Sequence, residues 1–273
     1  MTNSRQRTCI KAKYLTLAVI FWPLWLSIIL WVLAQPVLAM PQDFSGQRVE
    51  IVATDKFKLS AQLFSGQASA AGVLFLHDCQ HLAKDFQPLY SALLQQGLFV
   101  LALDLRGYGA SQSALYSAEK IRQQTNDIVS YQGQLAALML HWQPDVFTAY
   151  QYLQSRMKNN QAISIVTSGC SSNQAIYLAE QADLKSLVML DPELSFADKE
   201  QFKRLADMAI YLISSKYQTG AMLNSQELFD WNGDKHSVLQ TFKGNGSSYD
   251  LLKHQAYLNQ HIATWLHSSL AKQ

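Results

Sequence analysis

The sequence predicts an α/β fold, a mostly parallel β-sheet with helices on both faces, behind an N-terminal apolar leader. Three observations predict it. Short, unbroken apolar runs at 71–77 and 98–104 have the composition of strands buried on both faces. Segments with helical spacing lie between successive runs, so strands and helices alternate along the chain. Only the opening pair of strands has the alternating pattern of an antiparallel hairpin.

The elements follow in order. Residues 48–53 alternate and are rich in β-formers, and 58–64 is their hairpin partner across Asp55-Lys56. The buried strand at 71–77 leads to a helix over 86–96, which Gly97 stops. A second buried strand at 98–104 runs into the glycine-punctuated turn Arg106-Gly107-Tyr108-Gly109-Ala110-Ser111. Residues 112–141, polar at first, are read as helix or cap. Their Tyr116, Tyr131 and 135–140 line a mouth or, more simply, pack. Pro144 and Asp145 suit the first turn of a helix reaching Lys158. Residues 163–179 read as strand, sharp turn and helix. Further buried strands are expected at 185–190, ended by Asp191-Pro192, then at 209–214 and 238–242. Gly244-Asn245-Gly246 precedes a closing amphipathic helix over 251–270.

The first forty residues are set apart from 41–273. Arg5, Arg7, Lys11 and Lys13 precede an uncharged run at 15–34, and no acid occurs before Asp43. At about 1.5 Å per residue the run spans roughly 30 Å, one bilayer core. Val37-Leu38-Ala39 offers small residues for a signal cleavage. A cleaved secretory signal and an uncleaved membrane anchor are the two leading readings, and a buried helix of an unexported protein is the third. Both leading readings place the domain outside the cytoplasm, periplasmic or extracytoplasmic. Removing four of the 22 basic residues leaves 18 against 20 acidic ones, a net charge of −2. That balance, with no basic cluster, argues against a nucleic-acid surface. About 230 residues suit one large domain. No nucleotide loop, cofactor signature or metal-binding Cys/His spacing occurs, so neither cofactor nor metal is expected.

Four segments, in this order, resemble the α/β-hydrolase fold over 48–270. Val73-Leu74-Phe75-Leu76-His77-Asp78 is similar to the family strand ending in His-Gly. Leu103-Asp104-Leu105-Arg106-Gly107-Tyr108-Gly109-Ala110-Ser111 resembles the Asp-x-Arg-Gly-x-Gly-x-Ser turn, the most specific match, and a structural one. Residues 163–179 resemble the nucleophile elbow. Lys243-Gly244-Asn245-Gly246 resembles the Gly-His-Gly before the last helix. The flavour is that of dienelactone-hydrolase and lysophospholipase-like members.

The resemblance implies a nucleophile, an acid and a histidine in that chain order, with two backbone N–H groups for the oxyanion. Aligned on strand and helix, the nucleophile position holds Gly169, with Thr167 and Ser171 in place of the flanking glycines. The histidine position holds Asn245, whose amide takes no proton near neutral pH. After the strand ending at Ser214 stands Ser215-Lys216-Tyr217-Gln218, with no carboxylate. Asp78 replaces a glycine near the oxyanion site, a place where dienelactone-hydrolase-type relatives tolerate an acid. Three groups are therefore missing at three separate places, and no catalytic residue is expected.

A rival register shifts the elbow by two, making Ser171 the nucleophile, with Asp191 as acid and His254 as base. Each has a simpler reading: Ser171 as a helix-start residue, Asp191 as a strand stop, His254 as a surface residue. Cys170 as a nucleophile has no histidine or basic pair beside it in the sequence. The family's oxyanion-hole positions fall on Cys79 and Cys170. Two residues flanking one small pocket come within disulfide reach, so the resemblance leaves two readings open, a Cys79–Cys170 bond and two separately buried thiols. The resulting expectation is an exported or tethered protein that binds a small-molecule or protein ligand without the family's triad. If the leader is retained, 15–34 contact the membrane.

Overall fold

A computed structural model describes residues 46–65, 71–157, 162–244 and 246–271. The leader, its span at 15–34, its cleavage point and Asn245 lie outside the described residues. No helix among the described residues is long and apolar enough to cross a membrane.

Eight strands form one sheet in the order β1-β2-β4-β3-β5-β6-β7-β8. They are β1 (Gln47–Val52), β2 (Lys58–Phe64), β3 (Gly72–Leu76), β4 (Phe99–Leu103), β5 (Ile163–Ser168), β6 (Leu184–Leu190), β7 (Ala209–Ser215) and β8 (Val238–Phe242). β1 pairs antiparallel with β2, and β2 with β4; all other pairs are parallel. Burial follows this arrangement. Every residue of β3 and β5 is buried, whereas β1 at the edge is mostly exposed. Interior parallel strands are covered on both faces and need unbroken apolar runs.

The helices are α1 (Gln87–Gln95), α2 (Ala118–Gln124), α3 (Ile128–Met139), α4 (Trp142–Arg156), α5 (Ser172–Gln181), α6 (Phe196–Phe202), α7 (Thr219–Trp231), α8 (Ser248–His254) and α9 (Ala256–Leu270). Two apolar layers sandwich the sheet. One holds Leu89, Tyr90 and Leu93 of α1 with Leu258, Ile262 and Leu266 of α9. The other holds Trp142, Val146 and Leu153 of α4 with Ala175 and Ile176 of α5 and Leu228 of α7. The order reverses beside β3 and β5: their connections leave on opposite faces and open a crevice at their C-terminal ends.

One sequence expectation is corrected and two are refined. The single closing helix over 251–270 is two helices, broken at Gln255 (φ −123°, ψ 84°). The first begins early because Ser247 and Asp250 form a capping box, Asp250 N–H donating to Ser247 Oγ and Ser247 N–H to Asp250 at 2.8 Å. The undivided cap segment at 112–141 holds two helices, started by Ser117 and Asp127 side chains that cap Lys120 N and Ser130 N. Asp145 stands in the first turn of α4 as expected, and its fully buried carboxylate does more. Its carboxylate takes Arg106 Nε at 2.9 Å and Nη2 at 2.7 Å.

The Arg106 turn shows why its sequence is so specific. Arg106 is 1% exposed and gives its remaining donors to Asp55, with the Phe57 ring 4.3 Å from its guanidinium carbon. This bond holds the Asp55 carboxyl down at about 2. Gly109 has φ +51°, and a Cβ there would stand 2.4 Å from Asp104 Cγ, so only glycine lets Asp104 accept Ala110 N–H at 2.9 Å.

Candidate functional site

The crevice is built from five loops: after β3, after β5, after β6, after β7, and ahead of α8. Leu135, Ala136 and Met139 of α3 roof it. The cavity holds about 310 Å³. A larger one, about 640 Å³, lies at the opposite strand ends between Asp183, Arg204, Asp207 and Trp265, away from the elbow. Fold topology places ligands at the C-terminal ends, so the smaller cavity is the candidate.

Gly169 occupies the apex between β5 and α5, and its φ is +53°. This left-handed conformation belongs to the elbow residue that presents a nucleophile. Ser168 before it and Ser171 after it have φ −133° and −90°. A Cβ built on Gly169 would meet Asp78 Cβ at 3.1 Å and Glu193 Oε1 at 3.6 Å. The apex therefore carries a hydrogen, closely flanked by two acidic side chains.

The Ser171 register is not assembled. Ser171 is fully buried, and its hydroxyl faces inward: it accepts Ser168 N–H at 3.2 Å and is within reach of Ser168 O at 3.0 Å and Leu76 O at 3.3 Å. It closes the turn rather than facing the cavity. His254 is exposed at the end of α8, and no hydrogen bond joins it to Ser171 or Asp191 among the described residues. Asp191, with φ +45°, accepts Ser215 N–H at 2.8 Å and Ser248 N–H at a shorter distance. Its carboxylate ties the ends of β6 and β7 to the start of α8. Burial raises its pKa despite these donors. With both oxygens on backbone N–H groups and no histidine ring bonded to it among the described residues, Asp191 acts as a loop clamp.

Cys79 and Cys170 are joined by a disulfide with Cα atoms 5.9 Å apart. It bridges the loop after β3 to the turn after β5.

Among the crevice residues that sequence reasoning missed are His81, Glu193 and Tyr249. Asp78 turns its own loop, accepting Gln80 N–H at 2.8 Å and His81 N–H at 2.6 Å. The same carboxylate takes His81 Nδ1 at 2.9 Å and Ser168 Oγ at 3.2 Å. The His81 ring stacks on Tyr249 with centroids 3.7 Å apart. Burial disfavours its charge, but Asp78 outweighs burial and raises the His81 pKa. Burial likewise pushes Asp78 up, and the His81 bond brings it below its ordinary value. Glu193 is exposed as a residue, yet its carboxylate leans over Gly169; burial of that end, then the Asp78 and Asp191 charges, raise its pKa. The one available sequence signal was the Asp78-x-x-His81 spacing beside a family motif.

Solved structures agree on the architecture. An esterase of Pyrococcus furiosus superposes with a TM-score of 0.60 at 14% identity, covering 84% of this chain and 92% of its own. The chain has the α/β-hydrolase fold. A dienelactone hydrolase from Anabaena variabilis gives 0.59 at 15% identity, over 83% of this chain and 99% of its own. A soluble variant of monoglyceride lipase from Saccharomyces cerevisiae gives 0.63 at 11% identity, over 85% and 98%. No family model matches the sequence, and no curated protein matches it. Among the described residues no group of three or more His, Cys, Asp or Glu is arranged to hold a metal ion.

Proposed function

We propose that this is an exported or membrane-tethered α/β-hydrolase-fold protein that has lost the family's covalent serine mechanism and uses its crevice to bind a ligand. The role is one of binding, sensing or scaffolding. The observation that carries the reading is the left-handed conformation of Gly169 at the apex, where a covalent hydrolase needs a side-chain nucleophile. Three features support it. Ser171 is buried in the turn, Asp191 is engaged by two backbone N–H groups, and Asn245 stands in the sequence where the family has histidine. The ligand is a small molecule that fits about 310 Å³ or a protein segment that enters the mouth under α3.

A fluorophosphonate probe tests this, since it modifies activated serines covalently. Intact mass after incubation is expected to be unchanged. An adduct that is lost in Ser171→Ala or Ser168→Ala would restore the serine hydrolase. Export is tested by the N-terminal mass of the protein recovered from cells and by its accessibility to added protease. A mass starting near Met40 indicates a cleaved signal, full length with external protease sensitivity indicates an anchor, and protection from protease would contradict export.

A further inference from the structure

The crevice holds one base–orienter pair in a place the family does not use. Asp78 Oδ1 and Oδ2 lie 3.0 and 2.9 Å from His81 Nδ1. An ionised carboxylate only accepts, so Nδ1 carries the proton and Nε2 is the basic nitrogen. Nε2 makes no hydrogen bond among the described residues, and His81 lines the cavity. The ring cannot turn freely, because Tyr249 stacks on it and Phe86 meets it edge-on at 6.3 Å. Asp78 also connects the ring to the apex, its Cβ standing 3.1 Å from the Cβ position of Gly169. The imidazole and the apex thus line one cavity, with Asp78 touching both.

We propose that His81, oriented by Asp78, is a general base of this crevice, activating water against the carbonyl carbon of a small, activated acyl ester. The base–orienter pair of a triad is moved from the loop before the last helices to the loop after β3, and water replaces the serine. The water oxygen bonds to the acyl carbon while its proton passes to Nε2. The acyl–oxygen bond to the leaving group breaks as the new bond forms, and the departing oxygen recovers the proton from the imidazolium. The products are a carboxylic acid and an alcohol or phenol, with no change of oxidation state and no acyl-enzyme.

The walls set the substrate class. Asp78, Asp191 and Glu193 line the cavity, so a fully developed oxyanion is disfavoured there. Esters with good leaving groups, whose transition states are early and carry little charge on the carbonyl oxygen, suit this wall. Aryl esters are the simplest members. The charged groups around His81 are Asp78 on its own loop, Asp85 on the turn before α1 and Asp250 on α8, with Lys253 lying 6.0 Å from the Tyr249 ring. The three acids keep the imidazole protonated at low pH, so the rate rises with pH as His81 loses its proton.

The inference stands apart from the absence of a serine nucleophile, because a failed dyad leaves that absence intact. The test is hydrolysis of p-nitrophenyl acetate by the full chain across pH. Saturable turnover is expected, falling about a hundredfold in His81→Ala. His261→Ala, an exposed position on α9, leaves the rate unchanged. Asp78→Asn moves the basic limb to lower pH, because the carboxylate that favours the imidazolium is gone. An NMR titration of the His81 ring in the unaltered protein supplies a second reading, and its inflection is expected to coincide with that of the rate. An unaltered rate in His81→Ala, or a rate inflection separate from the ring titration, would overturn the proposal.

Discussion

Asp78 and Gly169 are a matched pair: the Asp78 Cβ stands 3.1 Å from the point where any Gly169 side chain would begin. That separation is tighter than ordinary van der Waals contact, and Gly169 also has φ +53°. Both conditions favour hydrogen at the apex. Gly169→Ala is expected to lower stability by about 1–2 kcal/mol, the cost of a left-handed non-glycine residue. Gly169→Ser costs a similar amount and creates no serine esterase, because no histidine follows β8 before α8. Urea unfolding and a fluorophosphonate assay of the two variants check both statements.

The Cys79–Cys170 bond closes a loop of 91 residues in sequence separation. Restraint of an unfolded loop of that size contributes about 4–5 kcal/mol. Reduction, or the double substitution Cys79→Ser with Cys170→Ser, is expected to lower the urea midpoint by a corresponding amount. Thiol counting on the unfolded, unreduced domain is expected to find neither cysteine free.

The buried pair Arg106–Asp145 predicts a larger loss. The side chains are 1% and 0% exposed, so Asp145→Ala strands a guanidinium in the core. Breaking a buried pair from one side costs about 3–5 kcal/mol. The lower end is expected because Asp55 still accepts from Arg106. Chemical denaturation measures it, with Asp55→Asn giving the smaller effect since Asp55 is 44% exposed.

His81 and Asp78 also set a pH window. The His81 pKa is raised above its ordinary 6.5 on folding, so its contribution is complete below that value and is lost as pH rises through the folded one. Asp78 is lowered from 3.8, so its contribution is present above that value and is lost as pH falls through the folded one. The pair is therefore most stabilising between about 4 and 6.5. His81→Gln is expected to flatten the alkaline side of the stability profile from unfolding midpoints across pH.

The frame was legible in the sequence because interior parallel strands and the Arg106 turn leave local signatures. Burial on both faces forces unbroken apolar runs such as Val73-Leu74-Phe75-Leu76, and Gly109 is fixed by the close approach of Asp104. The break at Gln255 was hidden, since the apolar spacing of α9 continues back into α8 and the start depends on the Ser247–Asp250 exchange. α7 was missed because only Ala221, Ser225 and Leu228 are buried, one stripe of small residues and a single leucine. The crevice was half legible. Gly169 and the two cysteines sit inside a motif frame, but Glu193 reaches the apex from another loop and His81 is set by a stacking partner 168 residues away, Tyr249.

The absence of a serine nucleophile is tested most directly by the first turnover. Stopped-flow mixing of the full chain with excess p-nitrophenyl acetate is expected to show product rising linearly from zero time, with no initial burst. A burst matching the protein concentration, abolished in Ser168→Ala or Ser171→Ala, would contradict the account, because it requires a hydroxyl acting where Gly169 holds the apex.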